Sequence, residues 1–253
     1  MAGDGPIVCA SGMSPSGPIH MGKLREAMTP HLVADEIRRR GRECVHLISW
    51  DDYDRFRRVP AEVDPSWARH IGKPLTSVPA PEGSGHPNYA EHFKAPMVEA
   101  LRRLGIEYVG ISQTENYTSG YYRDQVLLAM RERRRIDAIL ERYRTLAKEN
   151  EDGQPGEYFP YKHYCDSCER DLTRVTGYDD ASTKLGYRCE CGHEATVNLS
   201  EHHHGKLVWK VDWPMRWAVE GVLFEPSGVD HSGSTKLVGL ATWPASVRIE
   251  LST

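Results

Sequence analysis

The sequence predicts an α/β fold: a doubly wound parallel sheet interrupted by an inserted zinc-binding module. Three observations carry the prediction. The apolar run Ile7 to Ala10 leads through a Gly/Pro/Ser-rich turn, Ser14-Pro15-Ser16-Gly17-Pro18, into a helix-like stretch. A second apolar run, Cys44 to Trp50, ends in Asp51-Asp52-Tyr53-Asp54. Four of the six cysteines fall between positions 165 and 191. Strand, turn, helix and strand make a βαβ unit, and ligands of parallel sheets gather outside the carboxyl ends of the strands. Clustered cysteines in a chain without a secretion signal suggest a metal before disulfides.

The elements follow in order. Lys23 to Arg40 carries Leu24, Ala27, Met28, Leu32, Val33 and Ile37 at roughly helical spacing, with Gly41 as its stop. Cys44 to Trp50 is the next strand. A tract rich in Pro and Gly from about Val59 to Pro87 reads as loop. Tyr89 to Leu104 is a helix closed by Gly105, and Ile106 to Ser112 a short strand. Thr118 to Lys148 reads as a long charged helix or a helix pair. Gly153 to Leu207 is the cysteine-bearing insert. Leu207 to Val211 is a further apolar run, Trp213 to Gly221 a helix, and Val222 to Glu225 a strand followed by the turn Pro226-Ser227-Gly228.

Composition narrows the classes. The 253 residues suffice for one large domain, or one domain with an insertion. No apolar run reaches the length of a membrane span. The first residues lack the basic and apolar regions of a signal peptide, so a cytoplasmic location is expected. A net charge of −4 argues against a generally basic nucleic-acid-binding protein and leaves room for a local basic patch. Cys9 and Cys44 sit in apolar surroundings and read as packing residues.

Several groups carry chemistry. Glycines in the first turn let a ligand approach the backbone, and the helix start offers N–H groups to phosphate oxygens. The plainer alternative is a structural turn, with His20 an ordinary first-turn residue. Asp51 and Asp52 suit a cationic substrate, a solvated loop or a helix cap. Cys165-x-x-Cys168 and Cys189-x-Cys191 have the spacing of a four-thiolate zinc knuckle, which leaves no open coordination position. His202-His203-His204 reads as a solvated loop. Trp213 and Trp217, at i and i+4, read as packing of a helix start. Arg131, Arg133, Arg134 and Arg135 spread around a helix, either as a solvated face or as a contact for nucleic-acid phosphates.

The turn around His20-Met21-Gly22-Lys23 resembles the His-x-Gly-His-type signature of class I aminoacyl-tRNA synthetases, with Lys23 in the last His slot. Cys9-Ala10-Ser11-Gly12-Met13-Ser14-Pro15-Ser16-Gly17 and Trp50-Asp51-Asp52-Tyr53-Asp54-Arg55-Phe56-Arg57-Arg58-Val59-Pro60 are similar to class I lysyl-tRNA synthetases, as are the knuckle and Gly228-Val229-Asp230-His231. The resemblance implies a class I synthetase-type Rossmann-like sheet. Residues 1–85 would form its first half, 86–206 a connecting insert, and 207–253 part of the second half with a divergent tail. It implies ATP with Mg2+, lysine, tRNA(Lys) and a structural Zn2+ at Cys165, Cys168, Cys189 and Cys191. Catalysis would fall to His20, Gly22 and Lys23. ATP would lie against Ser14, Pro15, Ser16, Gly17, His20, Gly22 and Asp230, and lysine against Gly12, Ser14, Asp51, Asp52, Trp213 and His231.

The family also places a second zinc before Tyr89-Ala90-Glu91-His92-Phe93. His86 and His92 match two of its ligands, but Ala80 and Gly85 stand at the Asp and Cys positions, so packing is expected to hold that loop. No Lys-Met-Ser-Lys-Ser-type stretch occurs, and Ser232-Gly233-Ser234-Thr235-Lys236 is only a superficial lookalike too soon after Gly228. The expectation is ATP-dependent activation of lysine and its attachment to tRNA(Lys), in a truncated or impaired form. The alternatives are a truncated paralogue that binds or activates an amino acid without charging tRNA, and a zinc-stabilised nucleic-acid-binding module.

Overall fold

The computed structural model describes residues 5–60, 64–141 and 157–226. In chain order β1 (Ile7–Met13), α1 (Met21–Arg39) and β2 (Cys44–Trp50) form the expected βαβ unit. Two 3-10 turns (Pro65–His70 and Leu75–Ser77) lead to α2 (Tyr89–Arg103) and β3 (Val109–Ser112). Three short helices follow: α3 (Gln113–Thr118), α4 (Arg123–Arg131) and α5 (Arg133–Glu141). Then come β4 (Tyr161–His163), β5 (Thr173–Asp179), β6 (Lys184–Cys189), β7 (Glu194–Asn198), β8 (Gly205–Leu207), α6 (Trp209–Glu220) and β9 (Val222–Phe224).

The central sheet has the order β3-β2-β1-β9, with every neighbouring pair parallel. The chain winds from β1 towards β3 on one side and returns to lay β9 on the other. The switch in direction opens a crevice at the carboxyl end of β1, the position where doubly wound sheets bind ligands. Alternation along the strands sorts the two faces. Met13, Ile48 and Trp50 pack with Ala27 of α1 and Met97 and Leu101 of α2. Ser49 and Asp51 turn the other way, towards α6 and α3.

β1 runs three residues past its apolar stretch. Parallel pairing with β2 continues to Met13↔Trp50, through Ser11 and Gly12. Ser11 also repairs a helix defect. Pro30 inside α1 has no N–H for the carbonyl of Glu26, and the Ser11 hydroxyl donates to that carbonyl at 3.1 Å. The stretch read as one helix or a pair from Thr118 starts earlier and is broken into α3, α4 and α5. Ser112 caps α3 by accepting from Glu115 N, and Gly120 at φ +79° separates α3 from α4. Residues 142–148 of the expected helix lie outside the described residues.

The basic run divides. Arg134 is exposed, as a solvated face requires. Arg133 corrects that reading: its side chain is 8% exposed and donates to Asp180 and Glu157, each at 2.8 Å. It also lies over the rings of Phe159 and Tyr178. It ties α5 to the insert.

The insert hangs on β4 and β8, an antiparallel pair running from Tyr161↔Leu207 to His163↔Gly205. Between them β5, β6 and β7 form an antiparallel meander. Its interior near the thiols is small, with Cys165, Tyr187 and Cys189 buried together. Cys9 and Cys44 are buried in the α1 layer with their sulfurs 3.7 Å apart. No helix among the described residues is long and apolar enough to cross a membrane.

Candidate active site

Three adjacent strands end at the crevice: β2 with Asp51, β1 with Gly12 and Met13, and β9 with Glu225. The side chains there are held by α6. Arg216 donates to Asp51 Oδ1 at 2.6 Å and to Ser49 Oγ at 2.8 Å. Glu225 Oε2 accepts from Trp213 Nε1 at 3.1 Å and also from Trp217 Nε1. Trp209 stacks on Trp213 at 5.2 Å, and the Arg216 guanidinium lies over Trp209. Each carboxylate thus gives one oxygen to α6. The other oxygens, Glu225 Oε1 and Asp51 Oδ2, converge over Gly12, where a Cβ would meet them at 3.3 and 3.8 Å. Any larger residue at position 12 would crowd that space.

The surroundings are acidic. Asp51, Asp54, Asp212, Glu220 and Glu225 face Lys206 and Arg216, with Arg57 also acting on Asp54. Lys206 Nζ donates to Asp54 at 2.6 Å. Burial would raise the Asp54 carboxyl, but Lys206 overrides it and holds the group below its ordinary value. Burial prevails elsewhere: it raises Asp51 despite Arg216, raises Glu225, and pushes Glu220 up to about 7. Excess buried negative charge of this kind is relieved by a cation.

Asp52 points elsewhere. It accepts from Ser112 Oγ at 2.7 Å, Thr114 N at 2.8 Å and Thr114 Oγ1 at 3.0 Å, securing the start of α3. Adjacent positions on an extended strand end face opposite ways, so the two aspartates serve different neighbours.

The turn after β1 carries the remaining candidates. His20 is the N-cap of α1, its Nδ1 accepting from Gly22 N at 3.1 Å. The imidazole lies so close that a Cβ at Gly22 would approach it to 2.8 Å. Lys23 pairs with Glu26 at 3.3 Å. Tyr89 of α2 donates to the Ser16 carbonyl at 3.0 Å, fastening the turn that holds Ser14, Pro15, Ser16 and Gly17. Asp230, His231 and the tail after Gly233 lie outside the described residues. Lys206, Arg216 and Glu225 were not singled out from the sequence. Glu225 had a usable signal, since it follows a strand at the ligand-binding edge of the sheet.

The cysteine module forms a second centre. Cys165 and Cys191 sulfurs are 3.8 Å apart, and those of Cys168 and Cys189 3.6 Å. All four lie within 4.8 Å of one another. A tetrahedron with metal–sulfur bonds of about 2.3 Å has edges of about 3.8 Å, so the set fits a metal ion. Gly192 at φ +90° makes the turn beneath it. Around His86 and His92 no third ligand gathers among the described residues, and His92 Nδ1 contacts Ser84 Oγ at 3.0 Å instead. The His202–His204 loop is partly exposed as expected, but His202 Nε2 lies 2.9 Å from Asp166 Oδ1.

A parallel sheet with a switch point at the end of β1, a glycine-rich turn into its first helix and a thiol-bearing insert defines a doubly wound α/β class of protein. The family described as tRNA synthetases class I (K) matches residues 1–240, and the chain belongs to it. A lysine--tRNA ligase of Streptomyces coelicolor is 62% identical over 92% of this chain and 46% of its own length. One from Pyrococcus horikoshii is 40% identical over 88% of this chain and 42% of its own length. One from Treponema pallidum is 38% identical over 94% and 46%. The chain therefore spans somewhat under half the length of these curated relatives.

Proposed function

We propose that this chain binds lysine and ATP in the switch-point crevice, activates lysine as its adenylate and passes it to tRNA(Lys). The observation that carries the reading is the pair of uncommitted carboxylate oxygens, Glu225 Oε1 and Asp51 Oδ2, over Gly12. They sit beside a wall of tryptophans in a region with more carboxyl groups than cations. A lysine ammonium group is the complementary charge, and indole faces add cation–π attraction. Ser14, Trp213 and His231 would complete the lysine contacts, and Asp52 would hold the floor through α3.

The lysine carboxylate then attacks the α-phosphorus of ATP, the bond to the bridging oxygen breaks, and pyrophosphate leaves. Ser14 to Gly17, the N–H groups at the start of α1, His20, Gly22, Lys23 and Asp230 would hold the nucleotide with its Mg2+. Their work is positioning and stabilising charge on the phosphates. His20 would release Gly22 N to do so. Cys165, Cys168, Cys189 and Cys191 would hold a structural Zn2+, which folds the insert and takes no part in the reaction. Such an activity belongs in the cytoplasm.

Amino-acid-dependent ATP–pyrophosphate exchange tests the reading, with lysine, arginine and ornithine compared and no tRNA added. Exchange specific to lysine, lost in Glu225→Gln, is expected. Exchange with none of the three by folded, metal-loaded chain would overturn the activation step. Charging of tRNA(Lys) is then measured separately.

A further inference from the structure

Beside the thiolate knuckle, three imidazoles converge on a single carboxylate oxygen. Asp166 Oδ1 lies 2.9 Å from His202 Nε2, 3.5 Å from His163 Nε2 and 3.8 Å from His204 Nδ1. The ligand atoms of His163, Asp166 and His202 all fall within 4.8 Å of one another. We propose that these three residues form a second divalent-metal site of the zinc type, independent of the cysteines.

Three features support it. Metal–nitrogen and metal–oxygen bonds of about 2.0–2.1 Å give a tetrahedron with edges of about 3.3 Å, and the distances from Asp166 to His202 and His163 bracket that length. A hydrogen bond joins His202 to Asp166 but leaves His163 unaccounted for. The His163 side chain is fully buried, and neither of its ring nitrogens has a hydrogen-bond partner. A buried nitrogen left in that state is costly, and its Nε2 is aimed at the Asp166 oxygen. The carboxylate is also oriented from behind: Tyr187 donates its hydroxyl to Asp166 Oδ2 at 3.0 Å, the kind of outer contact that fixes a ligating carboxylate. Imidazole and carboxylate donors suit Zn(II), Co(II) or Ni(II) and differ in kind from the four sulfurs.

The position gives the site a purpose. His163 ends β4, and His202 lies just ahead of β8. A metal there would join the two strands by which the insert enters and leaves the catalytic fold. β8 carries Lys206, so the clamp would also fix the strand that neutralises Asp54.

The test uses the tag-free full chain. After gel filtration, elemental analysis is expected to find two zinc ions per chain, and one in His202→Ala and in His163→Gln. Co2+ titration of the metal-free chain separates the centres. One equivalent gives intense thiolate charge-transfer bands, and a second gives only the weaker bands of nitrogen and oxygen ligands. Both variants should lose the second signal and keep the first, which shows that the module is still folded. One zinc per wild-type chain, or a second metal retained in both variants, would overturn the proposal.

Discussion

The switch-point crevice and the cysteine module order themselves by opposite means. In the crevice, charged side chains are buried among large aromatic residues and bound to one another by α6. In the module, the thiol end of a three-stranded meander fully buries only Cys165, Tyr187 and Cys189, while Leu185 and Leu199 pack into the core beside α4. The first region is held by mutual neutralisation within a parallel core. The second gathers four thiols in a set that fits a metal ion. Catalytic charge needs a rigid and dry setting, whereas a small appendage needs only a staple.

The largest effect should come from removing the staple. Cys189→Ser, or chelation, is expected to open residues 164–204 to proteolysis while the central sheet stays folded. Apparent metal-binding energies in such small modules are on the order of 10 kcal/mol, more than their own packing supplies. Unchanged cleavage would mean that the module folds by packing, and the contrast with the crevice would fail.

Arg216→Met comes next. It leaves Asp51 and Asp212 buried beside a lost partner, which typically costs about 3–5 kcal/mol. Denaturant unfolding measures it, and a loss under about 1 kcal/mol would show that the crevice does not rely on this cation.

His46 tests the opposite face of the sheet. It is buried against Ser11, with burial and His31 lowering its pKa to about 4. The unfolded chain takes up a proton near pH 6.5 and the folded chain only near pH 4. Stability is therefore full above about 6.5 and falls as pH drops between the two values, by about 3 kcal/mol in all. His46→Gln should flatten that part of the pH profile relative to the parent chain.

The smallest change in stability and the sharpest in binding should come from Glu225→Gln. It keeps an acceptor for the two indoles but removes the charge. Lysine affinity is expected to fall at least tenfold, about 1.4 kcal/mol, with a nearly unchanged Tm. In the parent chain, an entering cation favours the ionised carboxyl groups, including Glu220 near 7. Lysine binding should therefore release protons and tighten as pH rises from 6 to 8. Calorimetry in buffers of different ionisation enthalpy reads this directly.

Sequence patterning reached furthest where structure is local. Cys44 to Trp50 is mostly apolar and forms β2 with those bounds. Gly41 and Gly105 stop α1 and α2 in left-handed backbone that favours glycine. Polarity hid the end of β1, because Ser11 and Gly12 face a helix carbonyl and a binding crevice rather than plain core. α6 begins at Trp209 rather than Trp213, since the preceding apolar run reads equally well as a strand. The Arg216–Asp51 pair joins positions 165 residues apart, and no local pattern marks it. Asp51 and Asp52 read as a pair because they are neighbours, yet only the strand geometry decides which neighbour each one meets.

A single residue, Gly221 at φ +65°, separates the end of α6 from the start of β9. The tryptophan wall, Arg216 and Glu225 therefore belong to one hairpin whose length is set to the residue. Adding or deleting one position at that joint would turn Glu225 to the opposite side of its strand, away from Gly12. The space over Gly12 is thus open to change by substitution but closed to change by insertion or deletion.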